Sequence, residues 1–318
     1  MKPLILNNNK KMVNILLSTY NSSDYLCEQL DSIISQTYTD WCVFIRDDGS
    51  TNDTVKIINK YVDEYSGKII LIQAGRENLG PCQSYSRLLE FSTADYIMFA
   101  DQDDIWIPEK LEICMLKMHK MEKQYGTSFP LLIHTDLKVV NKNLKVLQDS
   151  FMSYQNISGF RDQTSQLLLQ NSITGCTVLM NKALKDISIP IPNRACMHDW
   201  WLALVASLFG KIGFVDMATV YYRQHDENCL GAQKSDAAYL ISKLKNFRAS
   251  KLVLHKAIFQ SISLNEKYGA ILKSDQKKMM DSFSNILNKG MIKKRLILLK
   301  YGIGKFGILR NLGLFLLI

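Results

Sequence analysis

The apolar positions of the first 136 residues fall into short runs separated by stretches with helical spacing. Val13 to Ser18 reads as a strand, after which Leu26, Leu30, Ile33 and Ile34 recur at the i, i+4 and i+7 spacing of one helix face. Trp41 to Arg46 is a second strand, closed by the turn Asp47-Asp48-Gly49-Ser50 and followed by a helix from about Asp53 to Tyr65. Lys68 to Gln73 is a third strand, Pro81 to Phe91 a third helix and Tyr96 to Ala100 a fourth strand. Pro108 opens the next helix, because proline suits a first helical position, and Leu131 to Asp136 is a further strand. Strands alternating with helices imply right-handed crossovers and an α/β fold with a mostly parallel central sheet.

After Asp136 the alternation decays. Asn171 to Met180 reads as a strand, His198 to Phe209 as a helix and Gly213 to Arg223 as one or two strands. From about Lys234 the pattern is all helical: Ala237 to Tyr268, Asp275 to Leu287, then the last 28 residues, 291–318. The expected organisation is a nucleotide-binding domain over 1–232 and a helical C-terminal region over 233–318. Within the first, 11–136 forms the donor-binding half and 137–232 the acceptor-side half.

Composition is that of a globular chain, 47% hydrophobic and 22% charged over 318 residues. The seven cysteines are scattered, odd in number and never spaced Cys-x-x-Cys, which argues against a zinc site and a disulfide framework. The stretch from Met1 to Lys11 lacks the apolar core of a signal peptide, so the chain is expected to remain in the cytoplasm. The formal net charge of +9 is concentrated at one end. From Met291 to Ile318 there are six basic residues and no acidic one, interleaved with leucine, isoleucine and phenylalanine. Its apolar runs fall short of the roughly 20 residues that span a bilayer. A basic amphipathic helix of this kind reads as lying on an anionic membrane surface, with packing on the protein's own core or on a second subunit as the alternatives. The chain carries no nucleic-acid-binding motif.

Candidate chemistry gathers where strands end. Asp101-Gln102-Asp103-Asp104 sets three carboxylates in four residues directly after the fourth strand, at the edge where open α/β sheets take their ligands. Such acids repel one another unless a cation neutralises them, and Mg²⁺ or Mn²⁺ held jointly with a substrate phosphate suits oxygen donors. Ser18-Thr19-Tyr20-Asn21 follows strand one, where hydroxyls and a ring could hold a nucleoside or cap a helix. Asp47 and Asp48 end strand two at the same edge. His198-Asp199-Trp200-Trp201 opens a helix, and an acid beside two tryptophans could be desolvated enough to serve as a general base. The glycine pattern of a dinucleotide fold does not follow strand one.

The order and spacing of these four motifs, over roughly Val13 to Asn228, closely resemble family 2 glycosyltransferases of the GT-A fold. The variant Ala-Asp-Gln-Asp-Asp-Ile-Trp, with His-Asp-Trp-Trp and Tyr222-Arg223-Gln224-His225, looks most like bacterial rhamnosyltransferases of surface polysaccharide assembly. The resemblance implies an inverting, metal-dependent transfer of a sugar to a polyprenyl-linked glycan acceptor at the inner face of the plasma membrane. The implied donor is dTDP-rhamnose, with a UDP-hexose next. Position by position it implies that Thr19 and Tyr20 meet the nucleoside and that Asp47 or Asp48 reads the base. It implies too that Asp101 and Asp103 are the D-x-D pair that binds Mn²⁺ or Mg²⁺, Asp101 nearer the ribose. Asp199 matches the catalytic base and His225 a further metal ligand. Asp136, Gly175, His198, Trp200 and Trp201 fall where acceptor or donor sugar would be met. Ser18 departs from the family, many of whose members have proline there. Self-association through the helical region is compatible with this picture. The competing expectation is a catalytically inactive nucleotide-sugar-binding subunit of a heteromeric transferase.

Overall fold

The computed structural model describes residues 11–73, 75, 77–225 and 247–318. The expected domain boundary at 232, the first ten residues of the chain and the start of the helix expected from Ala237 lie outside the described residues.

The chain begins with the expected alternation: β1 (Val13–Thr19), α1 (Leu26–Ile34), β2 (Trp41–Asp47), α2 (Thr54–Glu64), β3 (Ile69–Leu71), α3 (Gly80–Phe91) and β4 (Tyr96–Ala100). A two-residue strand β5 (Ile105–Trp106), α4 (Lys110–Tyr125), β6 (Leu131–Asn141) and β7 (Val146–Gln148) follow. Then come α5 (Phe151–Gln155), α6 (Thr164–Leu167), β8 (Leu179–Asn181), α7 (Lys182–Ser188), α8 (His198–Phe209) and the long β9 (Lys211–Gln224). The C-terminal region is α9 (Phe247–Tyr268), α10 (Ser274–Ser284), α11 (Met291–Lys300) and α12 (Ile308–Leu317).

The nine strands among the described residues join one sheet in the order β3-β2-β1-β4-β8-β6-β9-β5, with β7 on the flank of β6. The long ladders are parallel, β1 with β2 and β4 and β6 with β9, and β2 also runs parallel with β3 over three residues. The antiparallel pairings, β4 with β8, β8 with β6, β5 with β9 and β7 with β6, are two or three residues long. Both faces of the sheet are covered, which is why its strands read as near-continuous apolar runs. Along β1, Val13, Ile15 and Leu17 face a core shared with α1 and α4, while Leu16 faces the opposite core. That opposite core contains α3 and α8, and also Leu254, Ile258, Leu264, Met280, Phe283, Leu298 and Leu314 from the C-terminal helices.

Two expectations change. The strand from Asn171 to Met180 survives only at its end, as β8. Asn171 bonds both the N–H and the carbonyl of Ile173 (3.0 and 2.7 Å), Thr177 Oγ1 donates to the Thr174 carbonyl (2.6 Å), and Gly175–Thr177 forms a single 3₁₀ turn. These local side-chain bonds replace the ladder. The basic tail is two helices and not one, divided at Gly302 and Gly307, whose φ values of +61° and +89° belong to the region that favours glycine.

Because α10 contributes to the same core as α8, truncating it should weaken the whole molecule. Phe283→Ala, at a fully buried position, is expected to cost about 3–5 kcal/mol. Urea denaturation followed by far-UV circular dichroism and by tryptophan fluorescence should show one coincident, shifted transition. Separate transitions by the two probes would contradict the shared core.

Candidate active site

The C-terminal ends of β1, β2 and β4 open into a cavity of about 580 Å³, closed on the other side by the 3₁₀ turn at Gly175 and the start of α8. Ser18, Thr19, Tyr20, Asp48, Asp101, Asp103, Gly175, His198 and Asp199 all line it, so the four motifs converge although nearly 200 residues separate the first from the last. Asp47, Asp136, Trp200, Trp201 and His225 are not among its lining residues.

The two acids ending β2 have different work. Asp47 sits in its own turn, accepting from Ser50 N (2.8 Å), Gly49 N (3.2 Å) and Thr19 Oγ1 (3.1 Å). Asp48 is buried, ion-paired to Arg46, and accepts from the backbone N–H of Leu79 and of Gly80, each at 2.8 Å. Arg46 also donates to Ser84 Oγ (2.9 Å) and the Glu77 carbonyl (2.9 Å), so the pair fastens the segment before α3 to the sheet. Asp48 is the one of the two that reaches the cavity wall.

The acidic turn after β4 is built from three differently held carboxylates. Asp101 accepts from Tyr85 Oη (3.1 Å), and burial, with the charge of Asp103 adding to it, pushes its carboxyl up to about 6. Asp103 Oδ2 lies 2.7 Å from His225 Nε2, and that imidazole stacks on Tyr25 at 4.8 Å. Asp104 faces inward; burial, then the charges of Asp103 and Asp101, raise its carboxyl far above the ordinary range, and its Oδ2 is without a partner. Ligand atoms of Asp101, Asp104 and Cys176 lie within 4.8 Å of one another. The Cys176 thiol is itself pushed well up by burial and by those acids, which keeps it protonated and a poor ligand. Two buried cations stand behind the turn. Lys110 Nζ donates to the Cys176 carbonyl (2.8 Å), and Arg223 Nε donates to the Asp103 carbonyl (2.9 Å) while its Nη2 pairs with Glu28.

On the opposite wall Asp199 occupies the first turn of α8. Its carboxyl is pushed up to about 7, chiefly by burial and further by the charge of Asp101. Hydrogen bonds from the N–H of Trp200 (2.5 Å) and Gly175 and from the side chain of Asn171 oppose the shift. His198 is buried between the rings of Tyr85 (4.1 Å between centroids) and Phe99 (4.8 Å), and neither of its ring nitrogens has a partner. Burial lowers it to about 3, so it stays a neutral imidazole with one donor and one acceptor. Gly175 is there for space: a Cβ would fall 2.9 Å from His198 Nε2 and 3.7 Å from Asp199 Cβ.

Three of the residues expected to meet sugar lie off the cavity lining and have other partners. Trp201 is fully buried, donates from Nε1 to the Ser188 carbonyl (3.0 Å) and packs on Tyr268. Trp200 donates from Nε1 to the Leu167 carbonyl (2.6 Å), tying α8 to α6. Asp136 is committed to capping: it accepts from Ser150 Oγ (2.5 Å) and from the N–H of Leu137 (2.8 Å) and Met152 (3.2 Å). Motif spacing also missed Gln102 and Tyr85. Gln102 exchanges two hydrogen bonds with the backbone of Tyr20 (2.7 and 3.1 Å), locking the end of β1 to the acidic turn. It sits inside the quoted motif but carries no charge, whereas nothing in the helical pattern of α3 marks Tyr85.

The Arg46–Asp48 pair yields a direct test. Arg46→Ala leaves a buried carboxylate without its cation and should destabilise the fold by about 3–5 kcal/mol. The double change Arg46→Met with Asp48→Leu should recover much of that loss in guanidinium denaturation. Equal losses in both variants would mean that the pair is not what holds the segment.

The sequence model of a family described as Glycosyl transferase family 2 matches residues 14–187. A dTDP-rhamnosyl transferase, RfbG, of Shigella flexneri is 28% identical over 69% of this chain and 75% of its own length. The UDP-Glc:alpha-D-GlcNAc-diphosphoundecaprenol beta-1,3-glucosyltransferase WfgD of Escherichia coli is 27% identical over 59% of this chain and 68% of its own. Among solved structures, the mannosyltransferase PcManGT of Pyrobaculum calidifontis, in complex with GDP-Man and Mn2+, shares the fold with a TM-score of 0.51 at 14% identity. That match covers 95% of this chain and 90% of the other. Family match, fold and converging motifs agree, and the chain belongs to glycosyltransferase family 2.

Proposed function

We propose that this chain is an inverting, metal-dependent glycosyltransferase that moves rhamnose from dTDP-rhamnose to a polyprenyl-linked glycan at the inner face of the plasma membrane. The observation that carries this reading is one cavity with a base poised near neutrality on one wall and an acidic turn on the other. Rhamnose is preferred over a UDP-hexose because the motif variants agree with the likeness to the rhamnosyl transferase.

Thr19, Tyr20 and Asp48 line the end suited to the nucleoside. Asp101 and Asp103 offer carboxylate oxygens of the kind that suit Mn²⁺ or Mg²⁺, and His225 approaches Asp103 at 2.7 Å as a further candidate ligand. When bound, such an ion supplies positive charge to the leaving diphosphate. The acceptor hydroxyl attacks the anomeric carbon from the face opposite the nucleoside diphosphate. Its proton passes to an Asp199 oxygen as the new C–O bond forms and the bond to the phosphate oxygen breaks. A positioned base of this kind contributes ~10²–10⁴-fold. His198, neutral and unpaired, can hydrogen-bond a sugar hydroxyl in either direction.

Asp199→Asn should lower kcat by at least ~10²-fold while the Kd for the nucleotide sugar moves only a few-fold. For the native chain, kcat should be low when Asp199 is protonated and rise with pH through about 7. A profile flat from pH 5 to 8, or loss of nucleotide binding in the Asn variant, would remove Asp199 from the base role.

A thermal-shift panel of nucleotide sugars, with Mn²⁺ or Mg²⁺ and again with chelator, tests donor and metal together. Stabilisation by dTDP-rhamnose that disappears with chelator is the expected result. Metal-independent stabilisation, or preference for a UDP-hexose, would overturn that half of the reading.

A further inference from the structure

The last two helices bury one face and leave the other open. Leu298 of α11 and Leu314 of α12 point into the core, and Arg295 Nε donates to the Phe315 carbonyl (3.1 Å), holding the helices side by side. Outward, α11 presents Ile292, Leu296 and Leu299 at i, i+4 and i+7, and α12 presents Ile308, Leu312 and Leu316 at i, i+4 and i+8. These six side chains are between 57% and 80% exposed, far more apolar surface than two helices of a packed globule leave in water. Lys293 and Lys300 are exposed on α11, and 291–318 contains no acid.

We infer that the outer face of α11 and α12 is a membrane-docking surface that lies in the headgroup layer of an anionic bilayer, apolar side chains inward. The charge selects this occupant. A second copy packed face to face would set lysines against lysines, with no carboxylate from either tail between them, whereas anionic headgroups complement them. Each helix is ten residues, about 15 Å long, and no helix among the described residues is long and apolar enough to cross a membrane. Lying in the interface is the arrangement left to such a segment.

The turn between the two helices is stitched to the acceptor side of the cavity. The Gly304 carbonyl accepts from Arg161 Nη2 (2.8 Å), and Phe306 N–H donates to Gln170 Oε1 (2.7 Å). Gln170 adjoins Asn171, whose side chain bonds the Asp199 carboxylate. The docked face and the residue proposed as base are therefore anchored to one loop, and docking fixes where a lipid-linked acceptor meets that loop. This deepens the reading above by naming the surface from which its acceptor arrives.

The test is sedimentation of the full chain with vesicles of phosphatidylglycerol and phosphatidylcholine, and of phosphatidylcholine alone. The native chain should bind the anionic vesicles and release them at high salt. Lys293→Gln with Lys300→Gln should weaken binding about 30-fold, two charges at about 1 kcal/mol each. Ile292→Glu with Leu312→Glu should abolish it without changing the melting temperature, since both positions are exposed. Failure of the native chain to bind, equal binding to neutral vesicles, or unchanged binding by the Glu variant would overturn the inference. So would a native dimer in light scattering that the Glu variant dissociates. Vesicle binding requires no donor and no transfer, so a chain that docks but transfers nothing would refute the proposed reaction and leave the surface standing.

Discussion

Negative charge taken out of water is the constraint on which this molecule depends. Asp101 and Asp103 on one wall and Asp199 on the other share one cavity, and Asp104 is fully buried behind the first two. Isolated carboxylates in such a place would cost several kcal/mol each or would take up protons. Backbone and cations are arranged around that problem. Lys110 is fully buried beneath the turn, Arg223 spans from the Asp103 carbonyl to Glu28, and Arg46 neutralises Asp48 at the end of β2. Asp104, with one oxygen unpaired and its carboxyl raised well above the ordinary range by burial and by the charges of Asp103 and Asp101, belongs to the scaffold.

The same desolvation divides labour between the two walls. Asp199 is raised mainly because it is buried, and three hydrogen bonds keep the rise moderate, which leaves it near 7 where a base is most useful. Asp101 is raised by burial and by Asp103, so a divalent cation beside it would reverse much of its shift. Anything that neutralises Asp101 also removes part of the charge acting on Asp199. Asp101 and Asp199 are thus coupled through their charges. The close approach of Gly175 to His198 and Asp199 leaves no side chain between its turn and the start of α8.

Most of the donor half was legible in the sequence. Strands β1, β2 and β4 are continuous apolar runs because both faces are covered, and each ends in a polar motif at the cavity. What escaped was set by contacts remote in sequence. β5 is two residues long and exists only through its pairing with β9, so no periodicity marks it. The segment from Asn171 to Met180 has strand-like composition, but its asparagine and threonine side chains turn it locally. Trp200 and Trp201 drew attention as aromatic residues beside an acid, yet their indole N–H groups are spent on carbonyls of α6 and α7, a fact that only packing can reveal. Asp136 was similar: a carboxylate at a strand end reads alike whether it faces a ligand or caps the next helix.

The tail shows why a sequence pattern can hold several readings at once. Its amphipathicity fits docking on a membrane, packing on the protein's own core or packing on a second subunit. The structure divides the segment at Gly302 and Gly307 and gives each helix an inner face with one buried leucine and an outer face of exposed isoleucine and leucine. Packing therefore consumes only a narrow stripe of each helix. The residues that join the core, Leu298, Ile303 and Leu314, fix the height and tilt of the outer face relative to the cavity. Under the proposed docking, a membrane-bound acceptor would need that fixed relation, because a hydroxyl presented at the wrong depth could not reach Asp199. Core packing of the inner stripe would then be a condition for docking by the outer one.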